Sequence, residues 1–192
     1  TVGYTFEDTA WQPRPFLQGV YFQGQDNRDV SFWDWLNPCY RPDASVNFNR
    51  LFSDKNYMPI INDNGGISNI IQIQAGVEAQ PTEKIRVHVH VAKDWIDEPF
   101  NPPVSVTIFG NKQYLPFPWW TSGGSDDLGW EIGAWVKYQY SADLLFTVYG
   151  NYLFAGDGLT DGSFIMNNGT DFNGGTDNDD AAYMYWMATL KF

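Results

Sequence analysis

Two-residue alternation, sustained over segments far longer than an ordinary strand, is the feature that most limits what this chain can fold into. The last segment, residues 181–192, reads A-A-Y-M-Y-W-M-A-T-L-K-F. Successive side chains of a strand point to opposite faces. Ala182, Met184, Trp186, Ala188, Leu190 and Phe192 therefore share one face, and Tyr183, Tyr185, Met187, Thr189 and Lys191 share the other. A strand in a globular domain usually runs about 5–6 residues, whereas a tilted strand crossing a bilayer needs about 9–11.

Similar segments recur upstream. In Ile70 to Ala79, Ile71, Ile73, Ala75 and Val77 oppose Gln72, Gln74, Gly76 and Glu78. In Lys84 to Trp95, Ile85, Val87, Val89 and Val91 oppose Lys84, Arg86, His88 and His90. In Leu128 to Tyr140, Trp130, Ile132, Ala134, Val136, Tyr138 and Tyr140 oppose Glu131, Gly133, Trp135, Lys137 and Gln139. Leu144 to Ala155 carries Leu144, Phe146, Val148, Tyr152 and Phe154 on its apolar face and a mixed set on the other. Thr1 to Phe6 and Arg14 to Gln25 complete seven expected strands, although Arg14 to Gln25 lacks alternation and its faces cannot be assigned from sequence.

The connections alternate in length. Glu7 to Pro13, Gln80 to Glu83 and Ser141 to Asp143 are short; Asp26 to Gly66, Ile96 to Asp127 and Asp157 to Asp180 are long. Three long loops are unusual in a compact soluble domain, while membrane barrels combine tight turns on one side with long loops on the other. Aromatic residues gather near the ends of the apolar faces (Tyr4, Phe6, Trp130, Tyr138, Tyr140, Tyr152, Phe154, Trp186, Phe192). Such rings settle at a lipid–water boundary, but they also fill the cores of soluble sandwiches. The fold expectation is all-β: one domain over residues 1–192, forming part of an antiparallel up-and-down transmembrane β-barrel. Single-chain bacterial barrels have even strand numbers, so seven strands imply further strands ahead of Thr1. The alternative is a strand hidden in residues 26–66 or near Val104 to Phe109.

No run of about 18 apolar residues exists, which excludes a transmembrane helix. The formal net charge of −12 argues against a nucleic-acid partner. The acids cluster in the long connections, above all at 157–180. That placement reads as a solvated surface; the same stretch offers Asp157, Asp161, Asp171, Asp177, Asp179 and Asp180 as calcium oxygens, although D-G-L-T-D-G does not match the twelve-residue calcium loop. A single cysteine, Cys39, precludes an internal disulfide.

The order of several short motifs resembles the C-terminal region of the alginate export family of outer-membrane barrels. The stretch from Gly3 to Asp26 contains W-Q-P-R at Trp11 to Arg14. F-N-R-L-F follows at Phe48 to Phe52, then N-D-N-G-G-I-S-N-I at Asn62 to Ile70. G-W-E-I-G, F-A-G-D-G and the aromatic C-terminus are also similar. The resemblance implies a monomeric barrel of about 18 strands with an aqueous lumen, seated in the bacterial outer membrane by the outer-membrane assembly machinery. It implies transport of polar or anionic solutes, polysaccharide among them. Two features depart from the pattern: G-Q-D stands at Gly24 to Asp26 where the family has G-D, and the loop from Val30 to Pro42 carries Trp33, Trp35 and Cys39.

The candidate pore-lining residues are Gln72, Gln74, Glu78, Lys84, Arg86, His88, His90, Glu131, Lys137 and Lys191. Basic side chains at a constriction select anions. The competing reading pairs Lys84 and Arg86 with Glu78, Glu83 or Glu131, and Lys84 and Lys191 also suit a rim. His88 and His90 share a face at the spacing of a two-ligand metal site, without an identifiable third ligand. Trp119 and Trp120, in L-P-F-P-W-W, suit either a sugar contact or a plug. No nucleophile elbow or zinc-protease motif is present, so an enzyme is not expected. A soluble carbohydrate-binding β-domain with acidic loops is the alternative function, and a barrel wall without conductance a third.

Overall fold

The computed structural model describes residues 1–24, 31–39, 69–99, 101, 104–109, 111–115, 117, 119–120, 123–160 and 180–192. Its strands are β1 (Val2–Gly3), β2 (Arg14–Phe22), β3 (Ile70–Thr82), β4 (Ile85–Ile96), β5 (Ser105–Ile108), β6 (Asn111–Tyr114), β7 (Asp127–Gln139), β8 (Leu144–Ala155) and β9 (Ala181–Leu190). Two short helices, α1 (Phe32–Leu36) and α2 (Asp157–Thr160), lie in connections.

All seven expected strands belong to one antiparallel sheet, ordered β1-β2-β3-β4-β7-β8-β9. Each strand pairs with its sequence neighbour apart from the small β5–β6 hairpin, which forms a separate two-stranded sheet within the connection from β4 to β7. That hairpin includes the Val104 to Phe109 region, the alternative place for a further strand, but it adds nothing to the main sheet. The described sheet is open: β1 and β9 are its two edges, and they do not pair with each other. Antiparallel meander topology is thus as expected, and closure is not seen.

Local differences from expectation have simple causes. β1 is short, but Tyr4 N donates to Pro15 O at 3.2 Å and Phe6 N to Pro13 O at 3.1 Å, so the hairpin pairing continues to Phe6. β3 runs on to Thr82 with a register shift between Ala79 and Thr82. The turn is therefore formed by Glu83 and Lys84, not by residues 80–83. In the W-Q-P-R motif, Trp11 and Gln12 both adopt positive φ (67° and 45°). This costly backbone is tied down by Gln80 N, which donates to Trp11 O at 2.7 Å.

The two faces of the sheet differ in kind. Facing one side, Gln72, Gln74, His88, His90, Asp94, Glu131, Thr147 and Asn151 are buried. Facing the other, Ile73, Val77, Val89, Val91, Trp130, Ile132, Val136, Val148, Phe154, Met184 and Trp186 are exposed. The register also resolves β2: Arg14, Phe16, Gln18, Val20 and Phe22 join the buried face, and Pro15, Leu17, Gly19 and Tyr21 the exposed one. Its inward set mixes a cation, an amide and three apolar residues, which is why no alternation was legible there.

Apart from Phe16 and Ala92, the buried apolar side chains among the described residues gather at one end of the inner face. Phe22, Ile70, Ile96, Leu128 and Leu153 cluster there, with Val20, Leu159 and Ala181 against them. All sit where the strands meet the long connections. Full burial of such side chains contributes about 1.5–3 kcal/mol each, so this cap anchors the sheet at that end. Gly129, at φ +118°, lies beside the cap, and a Cβ there would run into Phe154 O. Only glycine accepts both that conformation and that approach.

Candidate functional site: the polar inner wall

The inner face is organised in cross-strand rows. One row runs Arg14, Glu78, His88, Trp135, Tyr149, Tyr185, with one residue from each of β2, β3, β4, β7, β8 and β9. Arg14 Nη1 donates to Glu78 Oε2 at 2.9 Å, and His88 Nδ1 lies 3.4 Å from Glu78 Oε1. The His88 ring stacks between Phe16 (5.1 Å, 25°) and Trp135 (5.1 Å, 7°). Tyr149 stacks on Tyr185 at 5.4 Å and 16°.

A second chain of polar contacts crosses to the neighbouring rows. His88 Nε2 and His90 Nδ1 are 3.0 Å apart, so one ring donates and the other accepts. His90 Nε2 lies 3.8 Å from Glu131 Oε1. Asn151 Nδ2 donates to the same Glu131 oxygen. This approach depends on Gly133: a Cβ there would meet both Asn151 Oδ1 and the His90 ring. Arg14, Glu78, His88, His90, Glu131 and Asn151 therefore form a continuous polar path across five strands.

Cations are placed unevenly. Arg86 and Lys137 face each other directly in the β4–β7 register, toward the short turns. Neither forms an ion pair among the described residues; Lys137 Nζ instead sits 4.4 Å above the Trp135 ring. Like charges opposed across strands repel, so this pair is suited to an added anion. Of the acids considered as partners for Lys84 and Arg86, Glu78 is engaged by Arg14 and Glu131 by Asn151 and His90. Two adjoining cavities share Arg14, Glu78 and Trp135. One of about 520 Å³ is lined also by Phe16, Gln18, Gln74, His88, His90 and Tyr149. The other, about 370 Å³, is lined by Thr5, Gln12, Gln80, Arg86 and Lys137 among others.

Of the residues singled out from sequence, Gln72, Gln74, His88, His90 and Glu131 are buried on this wall, Glu78 and Lys137 are half-buried there, and Arg86 is exposed. Lys84 lies in the turn, one residue before β4, instead of on the wall. Lys191 lies beyond β9, where its backbone N–H donates to Asp143 O at 2.8 Å. Both suit the rim alternative. Arg14, Phe16 and Asn151 are not marked out by the sequence pattern, because β2 and the inner face of β8 do not alternate. Asp94 was reachable by continuing the count of two from His90.

Trp119 and Trp120 belong to an aromatic group joining two long connections. Trp119 lies 4.5 Å from Trp35 and 5.3 Å from Phe32 of α1, and Phe117 lies 5.4 Å from Trp119. α1 is held by a capping box in which Ser31 Oγ accepts from Asp34 N at 3.1 Å and Ser31 N donates to Asp34 Oδ2. Of the acids considered for calcium, Asp161, Asp171, Asp177 and Asp179 lie outside the described residues. Asp157 opens α2. Asp180 accepts from Tyr152 Oη at 2.9 Å and Ala155 N at 3.0 Å. Among the described residues, no three or more His, Cys, Asp or Glu side chains gather as a metal site.

Near the long connections the outer face ends in a different pattern. Lys93 pairs with Asp127 and lies 5.4 Å from the Trp130 ring and 5.8 Å from that of Trp95. Tyr21 Oη donates to Asp97 at 3.1 Å. With Tyr152 and Asp180, three outward side chains end there on a carboxylate.

Comparison with protein-family models, with curated proteins and with solved structures finds no match to this chain. Of the motifs carrying the resemblance to the alginate export family, W-Q-P-R forms the turn into β2. F-N-R-L-F and most of N-D-N-G-G-I-S-N-I lie outside the described residues.

Proposed function

We propose that this chain forms part of the wall of a bacterial outer-membrane β-barrel through which polar or anionic solutes pass. The observation that carries this reading is the inversion of the sheet: its polar face is buried and its apolar face is bare. Three unbroken apolar rows cross the outer face. They run Val2, Leu17, Ala75, Val91, Ile132, Tyr152, Ala182; then Pro15, Val77, Val89, Ala134, Gly150, Met184; then Ala79, Val87, Val136, Val148, Trp186. Val89 is 55% exposed, Val148 50% and Trp186 75%. A monomer in water rarely leaves an apolar patch beyond a few hundred Å² uncovered. In hydrocarbon the same surface is at no disadvantage.

The ends of this band agree with such a setting. Trp95, Trp130, Tyr152 and Lys93 lie toward the long connections; Tyr138, Tyr140 and Phe146 lie toward the short turns. From Trp130 to Tyr138 a strand rising about 3.3 Å per residue and tilted by about 40° gains roughly 20 Å of height, close to the apolar band of such barrels. Backbone groups at an open edge cannot be left in hydrocarbon, so the reading requires further strands against β1 and β9. A larger barrel of the alginate export type supplies them.

Two features of the wall support the solute class. Arg86 and Lys137 put an unneutralised positive pair toward the short turns, and the aromatic, amide and histidine side chains of the larger cavity suit hydroxylated solutes. Anionic polysaccharide is the class the family resemblance adds. The test is twofold. The full-length protein is fractionated and purified with and without detergent, then reconstituted in planar bilayers. Outer-membrane recovery, dependence on detergent and single-channel conductance are expected. A chain monodisperse in plain buffer would overturn the reading in favour of a soluble carbohydrate-binding domain; membrane insertion without conductance would reduce it to a structural wall.

A further inference from the structure

The inner wall buries two carboxylates that the transport reading does not use as charges facing a solute. Asp94 and Glu131 are both fully buried. They stand on adjacent strands and the same face: Asp94 is opposite Gly129, and Glu131, two residues further along β7, is opposite Ala92. Diagonal neighbours of this kind have Cβ atoms within about 7–8 Å. The apolar cap of Ile70, Ile96, Leu128 and Leu153 closes over this region from the long-connection end.

Their hydrogen bonding is incomplete. No donor reaches either Asp94 oxygen at full hydrogen-bond distance and angle, although the Gln72 amide stands directly opposite and interacts with the carboxylate. Glu131 Oε1 accepts from Asn151, but Glu131 Oε2 has no donor. Asn151 is itself 6% exposed, and its own oxygen, on the amide that binds Glu131, is likewise without a partner. The nearest cations do not fill the gap. Lys93 points to the outer face and is taken by Asp127. His90 stands 3.8 Å from Glu131 Oε1, the oxygen already occupied. Burying two ionised carboxylates side by side is costly unless a proton or a cation neutralises them.

We propose that Asp94 and Glu131 hold one hard divalent cation of the calcium type between them, with the Asn151 amide oxygen as a neutral ligand. The donor set is all oxygen, as hard cations require. Two carboxylates balance a divalent charge. Calcium accepts irregular geometry and completes its shell with water. Bound there, the ion cross-links β4, β7 and β8 beneath the apolar cap and neutralises the two buried charges. This assignment rests on the inner face alone and does not depend on a membrane setting.

The test uses the full-length protein in detergent, treated with chelator and then titrated with Ca²⁺ by calorimetry, and separately with Tb³⁺ read by luminescence excited through tyrosine. A saturable Ca²⁺ site is expected, weakened about tenfold or more by D94N or E131Q, with Ca²⁺ raising the unfolding temperature of the wild type but not of those two variants. A variant of the acidic connection, D157N/D180N, is expected to retain it. The wild-type titration stands even if a wall variant misfolds: failure to bind Ca²⁺ overturns the proposal. So does binding that survives D94N and E131Q but is lost in D157N/D180N, because the ion then belongs to the connection.

Discussion

The two faces of the main sheet are built from the same strands, yet they obey opposite rules. On the outer face, Val77, Val89, Ile132 and Val148 are large, apolar and bare. On the inner face, Gln72, Asp94, His90 and Glu131 are polar and buried. In water the outer face should drive burial at about 25 cal/mol per Å², and nothing among the described residues covers it. The inner face should resist burial, and it is stabilised instead by partners: Arg14 on Glu78, aromatic rings on both sides of His88, Asn151 on Glu131. The contrast teaches that burial in this sheet follows specific partners and not hydrophobicity as such.

Matched substitutions break or sharpen the contrast. The largest effect is expected for lysine at the middle of the outer face. Val91→Lys should cost about 2–4 kcal/mol of folding stability in a bilayer, whereas Gln18→Lys on the inner face should cost about 1 kcal/mol or less. Denaturant titrations of the reconstituted full-length protein compare them. Equal costs would remove the distinction between the faces.

Next in size is Trp135→Ala. It removes the ring stacked on His88 and lying under Lys137, and should cost about 1–3 kcal/mol. Near-ultraviolet circular dichroism through the melt should report the lost stacking. No change in stability would mean the inner wall does not depend on ring packing.

Smaller effects concern charge. Replacing Arg86 and Lys137 together by alanine should shift reversal potentials from anion preference toward none, on the order of a few-fold in permeability ratio. The least effect is expected from Glu78→Gln. Its pair with Arg14 is half-exposed, and such pairs contribute about 0–1 kcal/mol; a melt should move little.

The seven strands were legible because alternation repeats over enough residues in β3, β4, β7, β8 and β9 to leave no competing period. β2 was legible as a strand but not as a face, since Phe16, Val20 and Phe22 point inward beside Arg14 and Gln18. The candidate wall was legible wherever the polar residues themselves alternate, as at Gln72 and Gln74 or His88 and His90. It was not legible in pairings. Counting along a strand cannot say that Glu78 meets Arg14 instead of Arg86, because that follows from cross-strand register.

By itself, the sequence determined the seven strands of the main sheet, their meander order, the alternation of short and long connections and, outside β2, the polarity of each face. These are properties of neighbours along the chain, governed by the two-residue pleat and by turn length. Tertiary structure alone decided which charges meet and which are left over: Arg14 on Glu78, Arg86 opposite Lys137, Asp94 beside Glu131 beneath an apolar cap. Those contacts join residues tens of positions apart, and a shift of one residue in register would send each of these side chains to the other face.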